Sequence, residues 1–319
     1  MKRIGILTSG GDAPGMNAAL RAVVRRGIYE GLEVVGISHG YAGLLTKDAR
    51  PLALSSVGDI IHRGGTILRT GRSEEFRTEA GQRRAVASAA ELGLDGLVVI
   101  GGDGSYRGAE ALARLGLPVI GIPGTIDNDI YGTELTIGFD TAVNTVLEAV
   151  NKIRDTAFSH ERTFIIEVMG RISGHIALAA GLAGGAESIL VPEFPPDYDE
   201  VCARLQHSRD RGKRHSIIIV AEGVGTGFQV GEEIKRRTGF ETRTTVLGYI
   251  QRGGTPSAAD RTLGTRMGAF AVDALIAGTR GICVGIQGNK LLTLPLSEAT
   301  SRLRPLDREL YELAATLAI

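Results

Sequence analysis

The sequence predicts an α/β fold of two doubly wound lobes with mainly parallel sheets, the chain crossing between the lobes more than once. Three observations carry this expectation. Short apolar, strand-like runs alternate with helix-length segments along the whole chain. Several runs end in glycine-rich corners of the kind that lead from a parallel strand into the next helix. The 319 residues, 43% hydrophobic and 23% charged, have ordinary globular composition at a length that suits two lobes. Aromatics are 5% and tryptophan is absent, so the cores are expected to be Val, Ile, Leu and Ala, with 45 glycines supplying corners.

Taken in order, Arg3–Thr8 reads as a strand. The turn Ser9-Gly10-Gly11-Asp12-Ala13 follows, then a helix that Pro14 opens and Gly31 stops. Glu33–Ser38 reads as the second strand. Helices near Thr78–Leu92 and Ser105–Leu115 alternate with buried parallel-type strands at Leu97–Ile100 and Pro118–Ile122. The pattern restarts with a long helix at Phe139–Phe158, a strand at Thr163–Met169, a helix at Ser173–Ala183 and a strand at Ser188–Val191. Pro195-Pro196-Asp197 starts another helix. Ser216–Ala221 and Thr242–Leu247 read as strands, Ser257–Ala277 as a helix and Gly281–Gln287 as a strand. The lobes are expected at residues 1–138 with 256–300 and at 139–255 with 301–319.

Charge excludes some functions. There are 36 basic and 36 acidic residues, so no broad nucleic-acid footprint is expected. Lysine occurs six times, so arginine supplies 30 of the 36 basic residues. Arginine's planar fork suits phosphate, but codon bias explains such a total equally well, so only particular arginines argue function. Cys202 and Cys283 form no CxxC, which predicts neither a disulfide framework nor a zinc site and fits a reducing cytoplasm. The apolar part of MKRIGILTSGGD is too short for a signal peptide, and no apolar run reaches membrane-spanning length.

Open α/β sheets bind ligands at the carboxyl ends of their strands, and three glycine-rich segments fall there. Ser9-Gly10-Gly11-Asp12-Ala13-Pro14-Gly15 leaves bare amides at a helix start, where the dipole favours an anion; a tight corner without a ligand has the same sequence. Gly101-Gly102-Asp103-Gly104-Ser105 lets a polyphosphate approach the backbone, and its carboxylate suits Mg²⁺, which combines one or two carboxylates with phosphate oxygens. Alternatively, Asp103 is a helix N-cap. This GGDG segment resembles those of NAD kinases and lipid kinases, so alone it indicates a kinase rather than which one. In Pro123-Gly124-Thr125-Ile126-Asp127-Asn128-Asp129, two carboxylates stand two apart. In an extended segment they face opposite sides, one toward a nucleophile and the other toward a metal. A polar surface turn is the alternative, weakened by three such loops ending consecutive strands. GxxxxGK[ST] and HExxH are absent from the sequence, so this is not a P-loop enzyme.

Over essentially its full length the sequence resembles the ATP-dependent 6-phosphofructokinase family. The matching segments are TSGGDAPGMNA from Thr8, RGGT from Arg63, IGGDGS from Ile100, PGTIDND from Pro123, MGR at Met169–Arg171, AEG at Ala221–Gly223 and GYIQRGGTPSAADR from Gly248. The resemblance implies a glycolytic, cytoplasmic, homotetrameric enzyme that uses Mg²⁺. Its reaction would phosphorylate the C1 hydroxyl of fructose 6-phosphate from ATP to give fructose 1,6-bisphosphate. Residues 1–138 and 256–300 would form the ATP-binding lobe, and the rest the fructose 6-phosphate-binding lobe. Gly11, Arg72, Ser73, Gly102, Asp103, Gly104 and Ser105 match positions that hold ATP. Asp103 matches the magnesium ligand, and Asp129 a helper through the metal's shell. Asp127 matches the general base, while Thr125 and Arg171 orient the reaction and stabilise the transferring group. Met169, Gly170, Arg171, Glu222, Tyr249 and Arg252, with Thr125 and Asp127, match the sugar-phosphate pocket. Arg162 and Arg243 match arginines that a neighbouring subunit brings to the 6-phosphate. Arg21, Arg25, Arg154, Gly185, Glu187, Arg211, Lys213 and His215 match a regulatory site for ADP or phosphoenolpyruvate, with Glu187 acting through a nucleotide-bound metal ion.

Elementary chemistry points the same way. Phosphoryl transfer needs in-line positioning and charge neutralisation, an acceptor alcohol needs a base, and charge on the phosphoryl oxygens needs Mg²⁺ and arginines. Arg21 and Arg25, four apart, share a helix face, a like-charge arrangement that something anionic would relieve. Two positions depart from the family. Tyr249 replaces the usual His and can donate a hydrogen bond but not become cationic. Leu54 replaces an Arg of many allosteric members, which predicts weaker effector binding. Pyrophosphate-dependent relatives usually carry Asp for Gly104 and Lys for Gly124, so both glycines favour ATP by leaving space for the nucleoside. An idle sugar-phosphate sensor is a further alternative, opposed by the presence of Asp103, Asp127 and Arg171 together.

Overall fold

The structure is a computed structural model that describes residues 1–318. Its elements begin with β1 (Arg3–Thr8), α1 (Met16–Tyr29), β2 (Glu33–Ile37), α2 (Gly40–Thr46), β3 (Ala49–Pro51) and α3 (Glu79–Glu91). Next come β4 (Gly96–Gly101), α4 (Asp103–Arg114), β5 (Val119–Pro123), α5 (Phe139–His160), β6 (Thr163–Val168) and α6 (His175–Gly184). They continue with β7 (Ser188–Leu190), α7 (Tyr198–Asp210), β8 (Ser216–Ala221), α8 (Gly227–Thr238) and β9 (Thr242–Val246). The chain closes with α9 (Ala258–Ile276), β10 (Ile282–Gln287), β11 (Lys290–Pro295), α10 (Leu296–Ala299) and α11 (Arg308–Leu317). Two compact units result. The first holds Met1–Thr141 and Arg252–Arg304; the second holds Ala142–Gln251 and the described residues from Pro305 onward. The mixed α/β class with mainly parallel sheets is as the sequence predicted.

The first unit is built on a seven-stranded sheet ordered β11-β10-β5-β4-β1-β2-β3. Its five inner strands run parallel, and β3 and β11 close the edges antiparallel. Thr8 pairs with Ile100 and Ile100 with Ile122, so the carboxyl ends of β1, β4 and β5 come level. One core joins Leu7, Ile37, Leu97, Val99 and Val119 to Tyr41, Phe76, Leu112 and Leu296 from the covering segments. Each such fully buried aliphatic side chain contributes about 1.5–3 kcal/mol. Helices α1 and α9 pack together at backbone distance: a Cβ at Gly268 would lie 2.4 Å from the Ala19 carbonyl oxygen.

The second unit carries an all-parallel sheet ordered β7-β8-β6-β9. Strand β8, Ser-Ile-Ile-Ile-Val-Ala, is buried throughout, the mark of a strand covered on both faces. Its core includes Ile165, Ile218, Val220, Val201, Leu205 and Ile234. Edge strand β9, Thr-Arg-Thr-Thr-Val, has no fully buried residue.

Some local expectations need correction. The first helix begins at Met16 rather than Pro14, because Gly15 at φ 103° makes the corner where a Cβ would strike Ile137 Cγ2 at 2.7 Å. Asp103 is the first helical residue of α4, not its N-cap; Gly102 holds that position without a side-chain bond. Helices α2 and α8 and the hairpin strand β11 were not expected.

Candidate functional site

In the first unit the three glycine-rich loops are stitched to one another. Ser9 N–H donates to the Ile100 carbonyl at 3.0 Å, and Gly124 N–H to the Gly101 carbonyl at 3.1 Å. A Cβ at Gly102 would lie 3.3 Å from Thr125 Cβ, and one at Gly101 only 2.4 Å from Ser105 Oγ. These glycines let three strand ends converge without side chains between them. Thr70 Oγ1 donates to the Gly10 carbonyl, which ties the segment bearing Arg72 and Ser73 to the first loop. Ser73 Oγ accepts from Phe76 N–H at 3.2 Å, so its hydroxyl has a local structural duty. Gly11 lies against Arg252, whose Nη1 would be 3.1 Å from any Cβ there.

Asp103 sits at the α4 N-terminus, where the helix dipole favours an anion. Its carboxylate, largely covered, pairs with Arg107 at 3.0 Å. Ser105 Oγ is buried with no hydrogen-bond partner, a polar atom pointed at the loops. Gly104 and Gly124 differ: open space surrounds a Cβ built on Gly104, whereas one on Gly124 would meet Ile100 Cγ2 at 2.8 Å and Met16 Cε at 3.0 Å. Gly124 is therefore closely packed in this chain, whereas Gly104 leaves room beside the phosphate loops.

The segment from Gly124 to Asp129 is not extended. It bends at Ile126 and Asp127, and Asn128 takes φ 54°. Alternation along a strand therefore cannot set the facing of Asp127 and Asp129. Thr125 Oγ1 accepts from Asp127 N–H at 3.2 Å. Asn128 pins the turn, accepting from Thr136 N–H at 2.9 Å and donating to the Glu134 carbonyl at 3.3 Å. Thr125, Asp127 and Asp129 are all buried, at 9%, 7% and 3% exposure. The sequence reading missed Asn128 as organiser, although Asn is the residue that tolerates this left-handed turn. Also missed was Asp260, buried, which accepts from Gly138 N–H, Thr141 N–H and the Thr141 hydroxyl at 2.6–2.8 Å. Burial raises the Asp260 pKa, and those hydrogen bonds oppose the rise.

In the second unit, Met169, Gly170 and Arg171 leave the carboxyl end of β6, beside Glu222 at the end of β8. Glu222 Oε1 accepts from Gly170 N–H at 3.2 Å and Arg171 N–H at 2.7 Å. Gly170 at φ 143° and Arg171 at φ 58° make the turn, and a Cβ at Gly223 would lie 2.5 Å from the Arg171 carbonyl oxygen. Met169 N–H donates to Oε1 of buried Gln251 at 3.2 Å, a contact the sequence did not reveal. Tyr249 is 78% exposed.

Arg162 and Arg243 lie elsewhere. Arg162 precedes β6 and Arg243 is the second residue of β9, its register partner being Phe164. Six residues of β6 separate Arg162 from the Met169–Arg171 turn, a distance of about 20 Å at the usual rise per residue. Both arginines contact Glu241, with Arg162 Nε at 3.1 Å from Oε1.

Five of the expected regulatory residues also gather in this unit. Arg154 Nη2 donates to the Gly185 carbonyl at 3.1 Å and to that of Gly184. Gly185, Glu187 and Lys213 line a cavity of about 100 Å³ with Leu182 and Ala314. His215 titrates below its ordinary range, chiefly through desolvation and then through the charge of Lys213. Glu187 is buried and both its oxygens are engaged, Oε1 by Lys213 Nζ and Oε2 by Ile217 N–H at 2.5 Å. Glu187 therefore pairs with Lys213 within the chain. Arg211 is exposed at the end of α7; Arg21 and Arg25 lie on α1 in the first unit. Among the described residues no helix is long and apolar enough to cross a membrane.

Residues 3–275 match the family described as Phosphofructokinase. Proteins from Natranaerobius thermophilus and Bacillus subtilis, each named ATP-dependent 6-phosphofructokinase, are 59% and 60% identical to the chain over 319 residues, covering both sequences completely. Phosphofructokinase from Saccharomyces cerevisiae superposes with a TM-score of 0.88 at 40% identity, over 94% of this chain and 45% of the yeast chain. A pyrophosphate-dependent phosphofructokinase from Marinobacter aquaeolei shares the fold, with a TM-score of 0.84 at 23% identity over 99% of this chain and 92% of its own.

Proposed function

The chain belongs to the phosphofructokinase family, and from that premise we propose how its residues phosphorylate fructose 6-phosphate with ATP as donor. The reaction yields fructose 1,6-bisphosphate and serves glycolysis. One observation carries the assignment of parts: three stitched loops at level ends of adjacent parallel strands, bearing Asp103 and Asp127, in a chain 59–60% identical throughout to ATP-dependent relatives.

The polyphosphate of ATP lies against Gly11 and the residues from Gly102 to Ser105, where bare amides and the α4 dipole favour anions. Arg72 and Ser73 flank it. Among the described residues no cluster of three or more His, Cys, Asp or Glu forms a self-sufficient metal site. Asp103, at the α4 N-terminus, and Asp129, through a water shell, would hold a Mg²⁺ that comes with the nucleotide. When bound, the ion neutralises charge on the phosphate oxygens. Asp127 takes the C1 hydroxyl proton as the oxygen attacks; Thr125 fixes the Asp127 backbone. Arg171 stabilises charge on the transferring group, and its turn is built by Glu222.

Met169, Gly170, Glu222, Tyr249 and Arg252 supply the rest of the sugar-phosphate pocket. Arg162 and Arg243 stand about 20 Å along β6 from the Arg171 turn. That separation is compatible with their serving, as in the family the chain resembles, the 6-phosphate bound by a neighbouring subunit, in a working form that is a cytoplasmic homotetramer. Arg21 and Arg25 of one subunit and Arg154, Gly185, Arg211, Lys213 and His215 of another bind ADP or phosphoenolpyruvate, with Glu187, paired with Lys213 in the free chain, acting through a nucleotide-bound metal ion. Leu54 weakens that site. A coupled assay with fructose 6-phosphate, run with ATP and with pyrophosphate, tests the reading. Turnover with ATP is expected; turnover with pyrophosphate at least as fast would overturn it.

A further inference from the structure

We propose that Glu241 is a built-in counter-ion for Arg162 and Arg243, and that it lowers affinity for the sugar phosphate by competing with the incoming 6-phosphate. The inference rests on the reading above that these two arginines grip that phosphate.

Strand register creates the arrangement. Thr163 pairs with Thr242 in parallel, so the preceding residues, Arg162 and Glu241, start β6 and β9 side by side. Thr163 N–H donates to the Glu241 carbonyl at 3.1 Å and closes that end of the ladder. Arg243 is two residues after Glu241, which returns its side chain to the same face. The outcome is one carboxylate oxygen, Glu241 Oε1, shared by two guanidinium groups: Arg162 Nε at 3.1 Å and Arg243 Nη2 in closer contact. The close ion pair with Arg162, with added attraction from Arg243 and His160, holds the Glu241 carboxyl below its usual range. The carboxylate is therefore charged wherever the enzyme works.

The group is reachable. The side chains of Arg162, Arg243 and Glu241 are 29%, 51% and 50% exposed, on the edge strand of the sheet. A phosphate dianion presents three acceptor oxygens and about twice the charge of a carboxylate, so it can displace Glu241 and bridge both arginines. Displacement has a cost, because the arginines already hold a partner. In an enzyme without that carboxylate, the two cations would repel until phosphate arrived. Exposed ion pairs are individually weak, so removing this competition should tighten binding only about two- to tenfold.

The test is saturation with fructose 6-phosphate at saturating ATP for full-length Glu241→Gln, Glu241→Asp and Arg243→Ser, each checked for wild-type thermal melting. Glu241→Gln should lower KM about two- to tenfold, with the change in KM rather than kcat. Glu241→Asp keeps the charge and should stay close to wild type. If Arg243→Ser raises KM while Glu241→Gln leaves it unchanged or higher, the counter-ion role fails and the arginine assignment stands. If Glu241→Asp lowers KM as much as Glu241→Gln, shape rather than charge is responsible and the role fails. If Arg243→Ser leaves KM untouched, the arginine assignment fails and this inference fails with it.

Discussion

Glu222→Ala should disable the sugar-phosphate pocket by collapsing the turn that carries Arg171. Oε1 of Glu222 accepts two amides, from Gly170 at 3.2 Å and Arg171 at 2.7 Å. Arg171 is held at φ 58°, a left-handed conformation that costs about 1–2 kcal/mol for a residue with a side chain. Hydrogen bonds to a charged acceptor contribute about 1.5–3 kcal/mol each. Water would replace part of both, because Arg171 is exposed. A net loss of about 2–4 kcal/mol in the population of the working turn follows, or roughly 30- to 1000-fold in kcat/KM for fructose 6-phosphate. Glu222→Gln keeps an acceptor oxygen and loses only charge assistance, so a fall of about fivefold is expected. Steady-state kinetics with a coupled assay would read both, and KM for ATP should scarcely move. Glu222→Ala within threefold of wild type, or Glu222→Gln as damaged as Glu222→Ala, would refute the reasoning.

Other outcomes follow from neighbouring parts. Gly104→Asp places a carboxylate in open space at the phosphate loop, so KM for ATP should rise at least tenfold through charge repulsion; an unchanged KM would show that the nucleotide does not pass that residue. For regulation, Arg25→Ala is a cleaner test than Lys213→Ala, which would leave the buried carboxylate of Glu187 unpaired and destabilise the fold. If phosphoenolpyruvate shifts half-saturation for the sugar phosphate in wild type, Arg25→Ala should abolish the shift and keep the maximal rate; a shift that persists would remove Arg25 from the site.

Most inner strands were legible because a buried parallel strand announces itself by a short apolar run between glycines, as at Ser216–Ala221. Elements rich in glycine or polar residues were not. Helix α2, Gly-Tyr-Ala-Gly-Leu-Leu-Thr, has two glycines in seven residues, and only packing of Tyr41 and Leu44 into the core stabilises it. Helix α8 opens with Gly227, yet Thr226 and Gln229 form a capping box that could have been read. Strand β11 follows Gly288 and Asn289, both at positive φ, a two-residue hairpin signal that was overlooked. At the site, residue types and loop order came from the sequence. What it hid were contacts set by tertiary structure: Glu222 bracing the Arg171 turn, Gln251 holding Met169, and Ile100 and Met16 packing closely around Gly124.

The claim on which the rest depends is that the bend after β5 presents Asp127 as the base that receives the C1 proton. Its most direct test is the kcat of Asp127→Asn at saturating ATP and fructose 6-phosphate. Asparagine keeps nearly the same shape in a site where Asp127 is 7% exposed, so the fold should survive. It cannot take the proton, and loss of a positioned base costs roughly 10²–10⁴ in rate. The account predicts a fall of that size in kcat, with a smaller change in KM for the sugar phosphate. A variant that keeps kcat within threefold of wild type would contradict it.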